Sequence, residues 1–148
     1  MATRKGSWND RVMQGILNGT NKPEKKKKEE LRGPSESQIQ QDVIGWFWKQ
    51  YPRLAEAGML FHIPNEGIRL GGTGARMVRE GIVRGVADLC LAMPRKGFGV
   101  LWIEMKKKGG RVRPEQKTWG SNQMAVGNKY VVCYSFEEAV REIKSYLE

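Results

Sequence analysis

Val86-Ala87-Asp88-Leu89-Cys90-Leu91 and Val100-Leu101-Trp102-Ile103-Glu104-Met105-Lys106 are the stretches on which the fold turns. Each is a short apolar run of strand length. Between them lies Pro94-Arg95-Lys96-Gly97, a turn signal. The pattern predicts two strands, over 86–93 and 99–106, paired as a hairpin. Each strand carries one acid in an otherwise apolar setting, Asp88 and Glu104. A buried carboxylate is costly unless a cation or donor meets it. The hairpin puts the two acids on neighbouring strands. Lys106 follows Glu104 by two residues, and the period-two alternation of a strand turns both side chains to one face. Asp, Glu and Lys therefore converge on one spot.

On the N-terminal side, Ser35 is an N-cap for a helix running to about residue 57, with Ile39, Val43, Ile44, Phe47 and Trp48 as its buried stripe. Gly58 ends it, and residues 59–63 form a short apolar strand closed by Pro64-Asn65. Residues 66–86 interleave glycines with Arg69, Arg76, Arg79 and Arg84, leaving room for a helical turn or two over 75–80. After the hairpin, residues 107–113 form a basic loop with two glycines. Pro114 suits the first turn of a helix over 114–126. Residues 129–134 are another strand. Ser135 caps a last helix whose buried face is Phe136, Ala139, Val140, Ile143 and Leu147. The fold class is α/β, a mixed β-sheet flanked by helices.

The composition breaks near residue 34. Residues 1–34 hold nine Lys or Arg and four acids, a net +5 in a chain whose total is +10. They include the breaker cluster 18–23 and the charge run 25–30, so the segment reads as a basic, flexible tail before a domain over 35–148. Trp8, Val12 and Ile16 fall at helical spacing and provide a face for docking on the body or on a protein partner. The plainer reading is a solvated arm that adds affinity for phosphate.

A domain this basic expects a polyanion. No stretch approaches the roughly 20 apolar residues of a membrane span. No apolar run follows the first residues, so no signal peptide is expected. Cys90 and Cys133, each among apolar neighbours, read as reduced core thiols of a cytoplasmic protein. One histidine and two separated cysteines exclude a zinc finger.

The convergent acids and lysine suit phosphodiester hydrolysis. Two carboxylates this close repel unless a divalent cation lies between them, and hard oxygen ligands favour Mg²⁺ or Mn²⁺. Such an ion acidifies a bound water and neutralises charge developing at phosphorus, and a lysine beside it stabilises the same charge. An Asp followed by Glu-x-Lys is a common pattern; burial within apolar strands is what singles this one out.

Gly85-Val86-Ala87-Asp88, Ile103-Glu104-Met105-Lys106 and Arg113-Pro114-Glu115-Gln116, in this order, resemble the VRR-NUC branch of the PD-(D/E)XK nuclease superfamily. Ser35-Glu36-Ser37-Gln38-Ile39-Gln40 is similar to the family's opening helix, and His62-Ile63-Pro64-Asn65-Glu66-Gly67 to a stretch frequent in small phage members. The resemblance spans about 35–146. It implies a restriction-endonuclease-like core and a metal-dependent DNA endonuclease. Asp88 and Glu104 would be metal ligands with the Met105 carbonyl as a third. Lys106 would be the catalytic lysine, Glu36 would complete the metal shell directly or through water, and Gln116 would face the site. It also implies a homodimer and selectivity for branched DNA such as four-way junctions, in a phage's host cytoplasm. The chain departs from the pattern at Arg113, where Ser or Thr is usual, and at Ala87, where Pro or Ser is common.

Plainer readings stand beside these roles. Glu36 favours the helix dipole wherever it sits in a first turn. Gln116 is equally at home as an exposed first-turn polar residue. His62 reads first as a satisfied core histidine and second as a general base. Asn65 and Glu66 read as turn formers before cleft residues. Trp46, Phe47 and Trp48 read as core or dimer interface rather than a stacking platform, and Trp119 as core. Lys107, Lys108, Arg111, Arg113 and Lys117 directly follow the Glu-x-Lys strand and are assigned to phosphate contact, together with the four arginines at 69, 76, 79 and 84. Two rival functions remain: a non-catalytic nucleic-acid-binding module, and a partner-dependent subunit of a phage DNA-processing complex.

Overall fold

The computed structural model describes residues 33–64 and 72–148. The tail stripe of Trp8, Val12 and Ile16, along with Asn65, Glu66 and Arg69, lies outside the described residues. Helix α1 (Glu36–Gln50) begins at Ser35, whose hydroxyl accepts the Gln38 N–H. The single helix expected to about residue 57 is in fact two. Pro52 has no N–H to donate into α1, so the chain breaks at Tyr51 and restarts as α2 (Pro52–Glu56) with the proline in its first turn. Strand β1 (Leu60–His62) follows, then α3 (Gly72–Arg79), β2 (Leu89–Leu91) and β3 (Leu101–Met105). Helix α4 (Pro114–Ala125), β4 (Lys129–Cys133) and α5 (Phe136–Leu147) complete the order.

The four strands form one sheet in the order β1-β2-β3-β4. The first two pairings are antiparallel, so the expected hairpin is present. Strands β3 and β4 run parallel, with α4 as the crossover between them. The expected strand over 86–93 shortens to the three residues of β2, and Gly85 at φ +80° turns the chain four residues before its first residue. At the other end of the hairpin Lys96 and Gly97 both have positive φ, the backbone of a tight turn between twisted strands.

Alternation along the strands gives the sheet two unlike faces. Leu60, Leu89, Leu91, Leu101, Ile103, Met105 and Cys133 share one face and are buried. Ile39, Val43 and Phe47 of α1 and Ala139, Ile143 and Tyr146 of α5 join them in one apolar core. Phe136 and Leu147 pack at its margin. Tyr146 is an addition to the expected stripe of α5; its hydroxyl donates to the Met93 carbonyl at 2.8 Å. Phe47 belongs to the core, and Trp46 and Trp48 pack against it. Cys90 and Cys133 are buried free thiols, and burial pushes them up to about 11 and about 12.

The opposite face carries Trp102 and Glu104 from β3 and their register partners Tyr130 and Val132 from β4. Helix α4 covers it. Trp119 stands edge-on to Trp102 at 4.9 Å and to Tyr130 at 6.2 Å. Gly120 lets the helix approach closely, since a Cβ there would lie 2.5 Å from the Tyr130 ring. Among the described residues no helix is long and apolar enough to cross a membrane.

Candidate active site

The β2–β3 register pairs Leu89 with Ile103, which makes Asp88 and Glu104 the next facing pair. Asp88 is pinned from both sides. Its Oδ2 accepts the Met105 N–H at 2.7 Å, and its carbonyl accepts the Ile63 N–H at 2.9 Å. That same carbonyl lies 2.9 Å from His62 Nδ1. A carbonyl only accepts, so Nδ1 carries the proton. His62 is therefore an exposed residue on an edge strand, tethered to Asp88, rather than a core histidine.

Glu104 has no exposed surface. Its Oε1 accepts from Lys106 Nζ and from Gln116 Nε2, each at 2.5 Å. Lys106 and Gln116 are themselves buried. Gln116 reaches the site because it lies in the first turn of α4, where its Oε1 accepts the Arg113 N–H at 2.9 Å. This fixes the amide, since the reversed orientation would aim donors at a donor. The helix missing its usual Ser or Thr cap thus keeps the other half of the reciprocal cap, and the same glutamine grips the buried carboxylate. Gly85 sets the position of that helix end. A Cβ on it would lie 2.5 Å from the Glu115 carbonyl oxygen and 2.9 Å from the Gln116 nitrogen.

Glu36, in the first turn of α1, turns to the end of β3 and accepts the Lys107 N–H at 3.3 Å. Its charge is felt by both acids. Burial raises Glu104 to about 7, against the Lys106 bond that lowers it; the Asp88 and Glu36 charges add to the rise. Burial also raises Asp88, offset in part by the Met105 N–H and the Lys106 and His62 charges. Both carboxyls resist ionisation even beside a lysine, so the site favours one more positive charge.

A pH dependence of stability follows. Glu104 titrates near 4.5 when unfolded and near 7 when folded. Between those values the native state holds the extra proton, so stability is greatest below pH 4.5 for this group and falls as pH rises through 7. Burial of Glu104, which favours its protonated form, is the cause of this loss. Chemical denaturation of the metal-free protein at pH 5, 6, 7 and 8 is expected to show this decline, and Glu104→Gln is expected to flatten it.

The donor set fits a small divalent cation. Asp88 and Glu104 offer hard carboxylate oxygens close enough for the charge of one to act on the other, and the Met105 N–H holds Asp88. Glu104 Oε2 is buried with no hydrogen-bond partner among the described residues. Among those residues no three His, Cys, Asp or Glu side chains form a ready-made metal cluster. Mg²⁺ commonly takes one or two carboxylates and keeps several waters, which matches two acids rather than three. Glu36 is held on the Lys107 N–H at the end of β3.

Lys107 and Lys108 are exposed just past β3, and Arg111, Arg113 and Lys117, also exposed, lie around the start of α4. They flank the acids on the chain's own path. Arg79 and Arg84 are also exposed, whereas Arg76 is paired with Glu80 at 2.7 Å. A groove of about 1050 Å³ between α1 and the start of α5 is lined in part by Lys107 and Lys108 and does not include Asp88 or Glu104. The structure brings Asp88, Glu104, Lys106 and Gln116 together and sets Glu36 beside them. Sequence reasoning missed Tyr130, whose place beside Trp102, on the same sheet face as Glu104, depends on the β3–β4 register. It also missed the closeness of Gly85 to α4, for which a glycine directly before a strand was the available signal.

The model of the VRR-NUC domain family matches residues 35–137. A solved structure described as a VRR_NUC domain protein has the same fold, with a TM-score of 0.67 and 24% identity over 78% of this chain and 89% of that one. No curated protein matches the chain.

Proposed function

Because the chain belongs to the VRR-NUC domain family, a nuclease family, we propose that it is a divalent-metal-dependent endonuclease that hydrolyses phosphodiester bonds in DNA. The observation that carries this reading is the fully buried Glu104, facing Asp88 and held by Lys106 and Gln116. A purely structural site has little use for that many buried polar groups, because an apolar pair would fill the space at less cost. Asp88, Glu104 and the Met105 carbonyl would hold Mg²⁺ or Mn²⁺. When bound, such an ion would supply Lewis-acid activation of water and would neutralise charge at the phosphate.

The chain's own residues do the rest. Lys106 keeps a fixed ammonium at the site to meet the negative charge of a phosphate, and favours the ionised form of Glu104. Gln116 orients the Glu104 carboxylate. Glu36 takes the outer side, through water. Lys107, Lys108, Arg111, Arg113 and Lys117, with the arginines at 69, 76, 79 and 84, contact phosphates and carry no base preference. The net charge of +10 supports a polyanionic substrate. A homodimer would present two such sites with two-fold symmetry, which suits a four-way junction. The basic tail adds phosphate affinity or docks a protein partner.

The test is cleavage of labelled single-stranded, duplex, flap and four-way-junction DNA, and of duplex RNA, with Mg²⁺, Mn²⁺ or EDTA. Sedimentation of the protein alone is run alongside. Metal-dependent cutting of DNA, strongest on the junction, by a dimer is the expected result. Cutting of RNA alone would overturn the substrate. Tight, salt-sensitive binding without any cutting would favour a binding module.

A further inference from the structure

Three polar side-chain atoms are buried without a hydrogen-bond partner among the described residues: Trp102 Nε1, Glu104 Oε2 and the Tyr130 hydroxyl. They are not scattered. Trp102 and Glu104 are two apart on β3, Tyr130 is the register partner of Trp102 on β4, and all three share the sheet face covered by α4. Trp119 closes over both Trp102 and Tyr130, and Gly120 brings the helix down onto the Tyr130 ring. The negative charges of Glu104 and Asp88 act on the Tyr130 hydroxyl, which places it within electrostatic reach of the site.

The chemistry of the three atoms is complementary. Trp102 offers an N–H and Tyr130 an O–H, while Glu104 Oε2 only accepts when ionised. A single water accepts two hydrogen bonds and donates two. Buried waters characteristically make about three bonds to groups of this kind. We infer that Tyr130 is a positioning residue for Glu104, acting through one buried water. That water accepts from Trp102 Nε1 and the Tyr130 hydroxyl and donates to Glu104 Oε2. Lys106 and Gln116 hold Oε1, and the water holds Oε2, so both ends of the carboxylate are fixed. Oε2 keeps a second lone pair for a cation. The consequence for affinity rests on the reading of Glu104 as a metal ligand; the water and its three partners do not.

Tyr130→Phe removes the hydroxyl and keeps the ring that packs under Gly120 and against Trp119. Two measurements test it. The first is a high-resolution crystal structure of the metal-free wild type and of Tyr130→Phe. The wild type is expected to show an ordered water within hydrogen-bond distance of all three atoms, and the variant to lose it or show Glu104 reoriented. A dry compartment, or an unchanged water and Glu104 in the variant, overturns the inference. The second is calorimetric titration with Mn²⁺ alone, beside thermal unfolding. With the folded state intact, Tyr130→Phe is expected to bind Mn²⁺ at least about 10-fold more weakly. Equal affinity overturns the positioning role. Failure of the wild type to bind Mn²⁺ overturns the metal reading, and the two crystal structures then decide the water by themselves.

Discussion

Lys106→Met is expected to reduce cleavage by about 10²–10³-fold, the usual effect of removing one preorganised electrostatic group from a reacting centre. The methionine fills the buried volume of the lysine stem and removes the ammonium with its charge and hydrogen-bond donors. Binding of DNA is expected to persist, because Lys107, Lys108, Arg113 and Lys117 are exposed and untouched. The variant also strips Glu104 of its ion pair at 2.5 Å. An uncompensated buried charge costs about 3–5 kcal/mol. Glu104 escapes that cost by taking a proton, so the loss of stability is expected to be small at pH 5 and large at pH 8. Single-turnover cleavage, a binding isotherm and denaturation at the two pH values check the three parts. Cleavage within a few-fold of wild type would remove Lys106 from the chemistry.

Gly85→Ala is expected to lower both stability and activity, and it acts from outside the acid cluster. At φ +80° an alanine is strained by about 1–2 kcal/mol. Its Cβ would lie 2.5 Å from the Glu115 carbonyl oxygen, which is backbone and has nowhere to turn. Overpacking of this kind costs about 1–3 kcal/mol more. Relief comes from moving the start of α4, and Gln116 moves with it, away from Glu104. A misplacement of about 1 Å near a reacting centre costs about 10²-fold in rate. Gly81→Ala is the control: its φ is +98°, but a Cβ there meets nothing within 4 Å. Thermal unfolding and cleavage rates are expected to show Gly85→Ala clearly less stable and less active than Gly81→Ala. Equal behaviour would mean that the contact with α4 does not hold the site.

Much of this arrangement was legible because it is local. The spacing of Glu104 and Lys106 puts both on one face of a strand, and the order of apolar runs and breakers gives the element sequence. Pro114 marks the start of α4, and the two acids mark the strands that need partners. What was not legible depends on how elements meet. Nothing in the sequence states that Asp88 faces Glu104 rather than Trp102; the β2–β3 register decides it. The parallel pairing of β3 and β4 brings Tyr130 under α4, and no pattern in residues 129–134 reveals it. The expectation of a core histidine at His62 fails because an apolar strand looks the same at an edge as at the centre. The break at Pro52 was legible, since a proline after an apparent helix interior is a stop signal, and the continuous apolar stripe masked it.

Cleavage of a labelled four-way junction by wild type, Asp88→Asn and Glu104→Gln, each with Mn²⁺ and with EDTA, separates a metal-dependent nuclease from its rivals in one experiment. Wild type is expected to cut with Mn²⁺ and to be silent in EDTA, and both folded variants are expected to bind the junction without cutting it. Cutting in EDTA, or undiminished cutting by either variant, would be incompatible with a metal-dependent centre built on Asp88 and Glu104.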